Sequence, residues 1–255
     1  MSYAAPRSFL SRPANLLLCT LLIAVPTAAD PLSDLRAGLQ RYPAKGPFAV
    51  AASLRVNGQS EDVTGARSGS TTFDVESGSA GLVLRVSPAV LGAAESEAEA
   101  KTRNPESLTP TRNAMVALAV FDIIDALDMA ATLLNDLQGA TLIGAAPSPR
   151  AGKPATLLRI RVKPTLAGTG GRLVNEPKIE LRVWIAPDGT PVAAERDSNY
   201  SASFLFVKAA NVRKERWEIA VAGDRLYASR AEQSNRASAV GKKMASSLAV
   251  TYVPK

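Results

Sequence analysis

The sequence predicts an α+β fold: a mostly antiparallel, curved, half-barrel-like β-sheet whose apolar face is covered by a long amphipathic helix. Apolar and polar side chains alternate with period two on both sides of the chain's centre, while the centre has helical spacing. Short turn motifs join the alternating segments, as is typical of antiparallel neighbours. A sheet with one apolar face must be covered, and the central helix has the apolar surface to cover it.

The first 29 residues have the three parts of a secretory signal peptide. Arg7 and Arg12 supply positive charge, an apolar run from Leu16 to Val25 follows, and small residues end at Ala29. The run is too short to span a bilayer, and no later stretch is long and apolar enough to do so. We therefore expect cleavage after Ala29, a periplasmic or secreted location, and one α+β domain over residues 30–255.

The predicted mature chain contains neither histidine nor cysteine, because Cys19 lies within the signal peptide. This composition removes the usual general acid–base, the Ser–His and Cys–His nucleophile systems, and metal sites built from imidazole or thiolate. We therefore expect a protein that is not an enzyme and has no cofactor and no bound metal. Basic residues exceed acidic ones, but they are scattered and aromatic residues are few, so no nucleic-acid partner is expected.

The segments before the centre predict one short helix and three strands. Leu32–Gln40 has helical spacing, and strict alternation follows from Phe48 to Val56. Asn57-Gly58 is a strong hairpin-turn signal. Further alternating segments at 71–75 and 82–86 are joined by a turn at Gly78-Ser79.

The centre of the chain divides into two parts. Residues 92–113 are rich in Ala, Glu, Ser, Lys and Pro, a composition that predicts a flexible, charged, solvated loop. Residues 111–138 then predict the long helix, whose apolar face includes Val116, Val120 and Leu134. The opposite face carries Asp122, Asp125 and Asp128, which we interpret as its solvated side rather than as a cation site.

The period-two pattern returns after Pro154. The sequence predicts strands around the alternating segments 158–163, 179–185, 217–221, 226–230 and 248–252. Pro187-Asp188-Gly189 and Gly223-Asp224 are turn signals, because proline fixes φ and glycine accepts a positive one.

Charged residues on the strands have two interpretations. Four arginines alternate with the apolar residues of the predicted strands, namely Arg55, Arg159, Arg161 and Arg182. We interpret them as the solvated face of the sheet; the alternative is a surface that binds an anionic ligand. Glu95, Glu97 and Glu99 predict solvated charge rather than a catalytic carboxylate pair, since nothing apolar supports them.

The order of elements resembles that of the periplasmic lipoprotein carriers, the LolA/LolB-like half-barrel type. It comprises an export signal, a short helix, alternating strands, a helical insertion, and strands with Pro-Asp-Gly and Gly-Asp turns. The matching stretches are 32–86 and 178–229. The resemblance implies an unclosed antiparallel sheet that curls around an apolar cavity closed by helices, and it transfers no functional residue.

We therefore expect an exported, non-catalytic binding protein that carries a lipid or other amphipathic ligand in an apolar concavity. The candidate cavity residues come from both the strands and the helix; they are Phe48, Leu54, Ile123, Leu127, Leu181 and Val183. The alternative is a structural or interaction module of the cell envelope that binds an envelope protein and has no small-molecule ligand.

Overall fold

A computed structural model describes residues 30–60, 67–78, 81–118, 120–164, 174–204, 207–239 and 242–255. The predicted signal peptide, with Cys19, lies outside these residues. The helices are α1 (Pro31–Gln40), α2 (Pro88–Arg103), α3 (Pro110–Val116), α4 (Val120–Leu127) and α5 (Met129–Asp136). The strands are β1 (Phe48–Ser60), β2 (Gly69–Gly78), β3 (Gly81–Arg85), β4 (Thr141–Pro147), β5 (Thr156–Val162), β6 (Val174–Ile185), β7 (Pro191–Phe204), β8 (Val207–Ala222), β9 (Arg225–Ala239) and β10 (Lys242–Pro254).

All ten strands form one antiparallel sheet in the order β3-β2-β1-β10-β9-β8-β7-β6-β5-β4. The strands from β4 to β10 follow one another as a meander, and β1 then pairs with β10. Helices α2 to α5 are inserted between β3 and β4, the two strands at the ends of this order. The prediction of a mostly antiparallel sheet combined with helices is thus confirmed. No helix in the described ranges is long and apolar enough to cross a membrane.

The sheet has an inner and an outer face, because successive side chains of a strand point to opposite sides. On the inner face, residues such as Val50, Leu54 and Leu181 share one buried apolar cluster with helix residues such as Ile123 and Leu133. Helices α4 and α5 lie against β9, and α3 lies against β1 and β2. Burial of these apolar surfaces is the main favourable term that holds the helices to the sheet.

The single long helix predicted over 111–138 is instead three short helices, and this part of the prediction was wrong. α3 ends at the C-cap Ala117, and Asp128 separates α4 from α5. The Asp128 carboxylate accepts a hydrogen bond from the backbone N–H of Ala131 at 3.0 Å, so it caps α5 rather than continuing α4. The apolar period runs across the break at Asp128, because α4 and α5 pack on the same side of the sheet, whereas Val116 of α3, expected on the apolar face, is 86% exposed.

The predicted flexible loop at 92–113 is also corrected, because Pro88–Arg103 forms α2. Ser87 caps its first turn and Pro88 stands at its first position, where a missing N–H costs nothing. Alanine, glutamate and lysine favour helix even without burial, and α2 buries none of its residues. The composition correctly indicated that this segment is exposed to solvent, but an exposed segment can also form a helix, as α2 does.

The turn motifs had mixed outcomes. Gly189 and Gly223 adopt φ of 83° and 59° in the turns that join β6 to β7 and β8 to β9, so both predictions were confirmed. Asn57-Gly58 is not a turn: both residues lie inside β1, where they pair with Ser247 and Ser246 of β10. The predicted turn at Gly78-Ser79 extends into residues 79 and 80, outside the described part.

Gly69 sets how closely α3 approaches the sheet. A methyl group at this position would overlap the Pro110 carbonyl and lie 3.1 Å from the backbone nitrogen of Ala114. We therefore expect Gly69→Ala to lower the free energy of unfolding by about 2 kcal/mol, the usual cost of overpacking, as measured by urea denaturation. Gly78→Ala, where the added methyl meets nothing within 4 Å, is the control and should change it by less than about 0.5 kcal/mol. Equal effects would contradict this account.

Candidate functional site

The six predicted cavity residues lie on the side of the sheet that faces the helices. Five of them are buried in the apolar cluster, namely Leu54, Ile123, Leu127, Leu181 and Val183. Phe48 is half-buried at the margin of this cluster, with its ring centroid 5.2 Å from that of Tyr227. Of the six, Leu127 also lines a hollow at the sheet margin, described below.

Three inward-facing arginines of the sheet bind the helix layer, and sequence reasoning missed all of them. Arg213 of β8 donates to the Asp122 carboxylate near the start of α4 at 3.0 Å. Arg225 of β9 donates to the backbone carbonyl of Leu127 at the end of α4 at 3.2 Å. Arg196 of β7 donates to both carboxylate oxygens of Asp136, the last residue of α5, at 3.1 Å. The sequence did carry a signal, since alternation from Ala194 already places Arg196 on the inner face.

Glu215 connects two of these arginines beneath the helices. Its side chain is buried, with the whole residue 6% exposed. It accepts hydrogen bonds from Arg196 Nε and Arg213 Nη2, both at 2.7 Å. The Arg196 guanidinium also lies 5.2 Å from the ring centroid of Trp217, a cation–π contact. We call Arg196, Arg213, Glu215, Asp122 and Asp136 the buried ion network.

Burial and an excess of carboxylates control protonation around this network. Burial raises the pKa of Asp136, although the neighbouring Arg196 opposes this shift. Burial also raises the pKa of Asp125, and the negative charges of Asp122 and Glu215 add to that increase. Burial by itself would lower the pKa of Arg196, but its bonds to Glu215 and Asp136 raise it overall. Burial also raises the pKa of the Tyr252 hydroxyl. Arg196 and Arg213 therefore stay charged. The carboxyl groups with raised pKa values, Asp125 and Asp136, are the ones whose protonation changes with pH.

A small cavity of about 30 Å³ lies between α4 and the sheet, next to the network. Asp122, Asp125 and Glu215 line it together with Trp217 and Tyr252. This volume is about that of one water molecule. No group of three or more acidic, cysteine or histidine side chains within the described ranges is arranged to hold a metal ion.

A larger hollow of about 380 Å³ opens between the C-terminal end of α4 and the β2–β3 side of the sheet. Leu82, Ile124 and Leu127 form its apolar wall. Lys45, Arg225 and Asp128 lie on its polar side. We call this space the α4 hollow. It combines an apolar surface with two cations and one carboxylate in a volume within the range of small-ligand sites.

Arg225 is the most constrained residue of the α4 hollow. The residue is 5% exposed, and its guanidinium donates to the carbonyls of Leu127, Ala44 and Gly46 at 3.2, 2.8 and 3.0 Å. It also lies 5.3 Å from the ring centroid of Phe48. Within the described part of the chain, no carboxylate forms an ion pair with it. Carbonyl dipoles and one aromatic face thus stabilise a buried cation that has no formal counter-charge.

The outer face of the sheet largely fits the solvated interpretation of its arginines. Arg159 pairs with Glu180 at 3.1 Å, and Arg182 pairs with Glu195 and Asp197 across neighbouring strands. The Arg159–Glu180 pair is exposed, and such pairs typically contribute below about 1 kcal/mol to stability, whereas the Arg182 pairs are partly buried.

Glu97, which the sequence placed in a solvated run, has a specific contact. Its carboxylate accepts hydrogen bonds from the backbone N–H groups of Thr111 and Arg112 at 2.9 and 3.0 Å, so it caps α3 from the neighbouring helix. Burial alone would raise the pKa of Glu97, but these hydrogen bonds outweigh it and the pKa is lowered.

No protein-family model matches this sequence, and comparison with curated proteins and with solved structures finds no significant match.

The Asp125 carboxyl beside the buried ion network predicts how the stability of the fold changes with pH. Because the pKa of Asp125 is raised in the folded state, protonation of Asp125 stabilises the fold, and that stabilisation is present at low pH and lost as pH rises. We expect Asp125→Asn to raise the free energy of unfolding at pH 7 by an amount on the order of 1 kcal/mol. The gain should shrink as the pH falls towards 4, because the raised pKa makes the wild-type carboxyl increasingly protonated.

Chemical denaturation at both pH values measures this difference. Glu99→Gln removes an exposed carboxylate from α2 and is the matched control, with no expected gain at either pH. A gain for Asp125→Asn that is equal at pH 7 and pH 4 would contradict the electrostatic explanation.

Proposed function

We propose that this chain is an exported, non-catalytic binding protein that takes an amphipathic anion, such as a fatty acid or a related lipid, in the α4 hollow. The observation that carries the proposal is the buried, unpaired Arg225 next to the apolar wall of Leu82, Ile124 and Leu127. An anionic head group would supply the counter-charge that Arg225 lacks, and an acyl chain would cover the apolar wall.

The location of the hollow refines the sequence-based expectation. The expected cavity lay centrally between the sheet and the helices, whereas the α4 hollow lies at the margin and shares only Leu127 with the expected set. The half-barrel resemblance supports the proposal, since in that type helices close one face of an unclosed antiparallel sheet. Entry of a long acyl chain past Leu127 would require α4 to move away from the sheet.

A binding titration with dodecanoate tests this function. We expect wild-type protein to bind dodecanoate more tightly than the uncharged dodecanol, because only the carboxylate compensates Arg225. Ile124→Glu should weaken dodecanoate binding about tenfold or more, since it removes apolar wall and adds a repelling charge. Isothermal titration calorimetry gives the affinities, and circular dichroism checks that the variant is folded.

Leu91→Glu is the matched control for Ile124→Glu. The two residues have similar exposure, 50% for Leu91 and 45% for Ile124, but Leu91 lies on α2 and does not line the hollow. Equal losses in both variants, or no binding of dodecanoate by the wild type, would overturn the proposal. Native mass spectrometry of protein isolated from an exporting host, with lipid analysis of an organic extract, then identifies the natural ligand.

Export itself predicts a defined N-terminus. We expect N-terminal sequencing of protein recovered from the periplasm or medium to begin at Asp30. Asp30 is the N-cap of α1, and its carboxylate accepts a hydrogen bond from Leu32 N–H at 3.2 Å. Cleavage at this point would leave the first helix with its cap intact. Recovery of the chain in the cytoplasm with its first 29 residues attached would contradict export.

A second candidate function is a structural or interaction module of the cell envelope. It is favoured by two exposed apolar side chains near α3, Leu108 at 81% and Val116 at 86% exposure. Such side chains are available to a protein partner. Replacing both by serine should abolish capture of a specific envelope protein in crosslinking experiments and leave dodecanoate binding unchanged, which separates this function from the first.

A further inference from the structure

A shallow groove runs along β10 on the outer face of the sheet, away from the helices. Two adjoining hollows of about 350 and 410 Å³ form it, and both are lined by Asn57, Ser234 and Ser247. Small residues of β10 form the floor, namely Ala245, Ser247 and Ala249. The larger side chains of the two neighbouring strands form the walls; they are Arg55, Asn57 and Gln59 on β1, and Glu232, Ser234 and Arg236 on β9.

Sheet geometry gives the groove the dimensions of one extended polymer chain. The walls stand on the strands either side of β10, so they are about 10 Å apart. Arg55 and Gln59 are four residues apart on β1, which gives a length of about 13 Å. Cations lie at both ends and on one flank: Arg55 at one end, Arg236 diagonally opposite, and Lys214 beside Ser234 on the next strand.

The groove carries uncompensated positive charge. Arg55, Lys214 and Arg236 are exposed, and none forms an ion pair or side-chain hydrogen bond with another described residue. Glu232 is the one acid that the described residues contribute to the lining, and Arg230 pairs with it at 2.6 Å. The sequence explains this imbalance, because residues 198–214 and 233–255 contain seven lysines and arginines and no acidic residue. Antiparallel pairing brings these separate stretches together on neighbouring strands.

We infer that this groove binds an anionic glycan, a chain of sugars bearing carboxylate groups. Guanidinium and ammonium groups pair with the carboxylates, while the amides of Asn57 and Gln59 and the hydroxyls of Ser234 and Ser247 bond sugar hydroxyls. The cationic, amide and hydroxyl side chains of the lining thus each have a partner in such a polymer.

The lining distinguishes a glycan from other polyanions. β10 is hydrogen-bonded to β1 and β9 on both sides, so an acidic peptide has no free strand edge to pair with here. Among the described residues no aromatic side chain lines either hollow, so the stacking platform that single-stranded nucleic acids use is missing there. The apolar lining residues are Ala245, Leu248 and Ala249, too few and too small for insertion into a membrane surface.

Hexagalacturonate, a carboxylated sugar hexamer, is the probe. We expect it to bind the full exported chain at moderate salt, and the uncharged maltohexaose to bind far more weakly. The triple variant Arg55→Gln, Lys214→Gln, Arg236→Gln should lose about tenfold or more in affinity, since three exposed charge contacts together contribute about that much. Unchanged dodecanoate binding in this variant separates the groove from the α4 hollow.

A second triple variant removes the same number of charges elsewhere. Arg103→Gln, Lys153→Gln, Arg161→Gln alters three exposed cations outside the groove and should leave hexagalacturonate affinity within about twofold. Equal losses in the two variants would show that net charge alone attracts the glycan and would overturn the inference. Tighter binding of oligo(dT), or of phosphatidylglycerol vesicles, than of hexagalacturonate at the same salt would overturn it too.

Discussion

The buried charge of Glu215 is the constraint on which the helix layer depends. A carboxylate on the inner face of a sheet must find donors there, and Glu215 has Arg196 and Arg213. Each arginine has further donor capacity, part of which Asp136 and Asp122 of the helices use. Apolar burial pulls the helices onto the sheet without fixing their position, whereas this network specifies one position. Removing Glu215 or Arg196, which are among its most buried members, is expected to cost about 3–5 kcal/mol, because the partner is left buried and unpaired.

Periodicity predicted the sheet and its two faces well, because burial of one face is a local property of each strand. The same argument failed for the central helix. Its apolar period continues across Asp128, so the pattern alone cannot distinguish one helix from two that pack on the same surface. The prediction of a loop at 92–113 was wrong for a different reason. α2 has no buried face and therefore no apolar period, so only helix propensity and the Ser87 cap indicated a helix. Asn57-Gly58 shows that tertiary pairing with β10 can override a strong local turn signal.

The candidate sites were less predictable, because each depends on which strands become neighbours. The role of Arg225 becomes visible only when the carbonyls of Ala44, Gly46 and Leu127 converge on it from two distant parts of the chain. The basic groove likewise joins β1, β9 and β10, although the acid-free stretches that supply it are visible in the sequence. The six predicted cavity residues were selected from apolar periodicity, which identifies buried positions and does not separate a lined cavity from a filled core.

The two proposed sites lie on opposite sides of the sheet, and the sheet itself connects them. Leu54 lies on the helix-covered face of β1, and its neighbour Arg55 lies on the groove wall. A glycan bound in the groove would cover the outer face of the sheet. The α4 hollow and the helices would remain accessible on the inner face. The buried ion network ties α4 and α5 to β7 and β8, and Arg225 ties α4 to β9. β9 also forms one wall of the groove, so the two sites share this strand, and a movement of α4 that admits a ligand would act on a strand that carries groove residues.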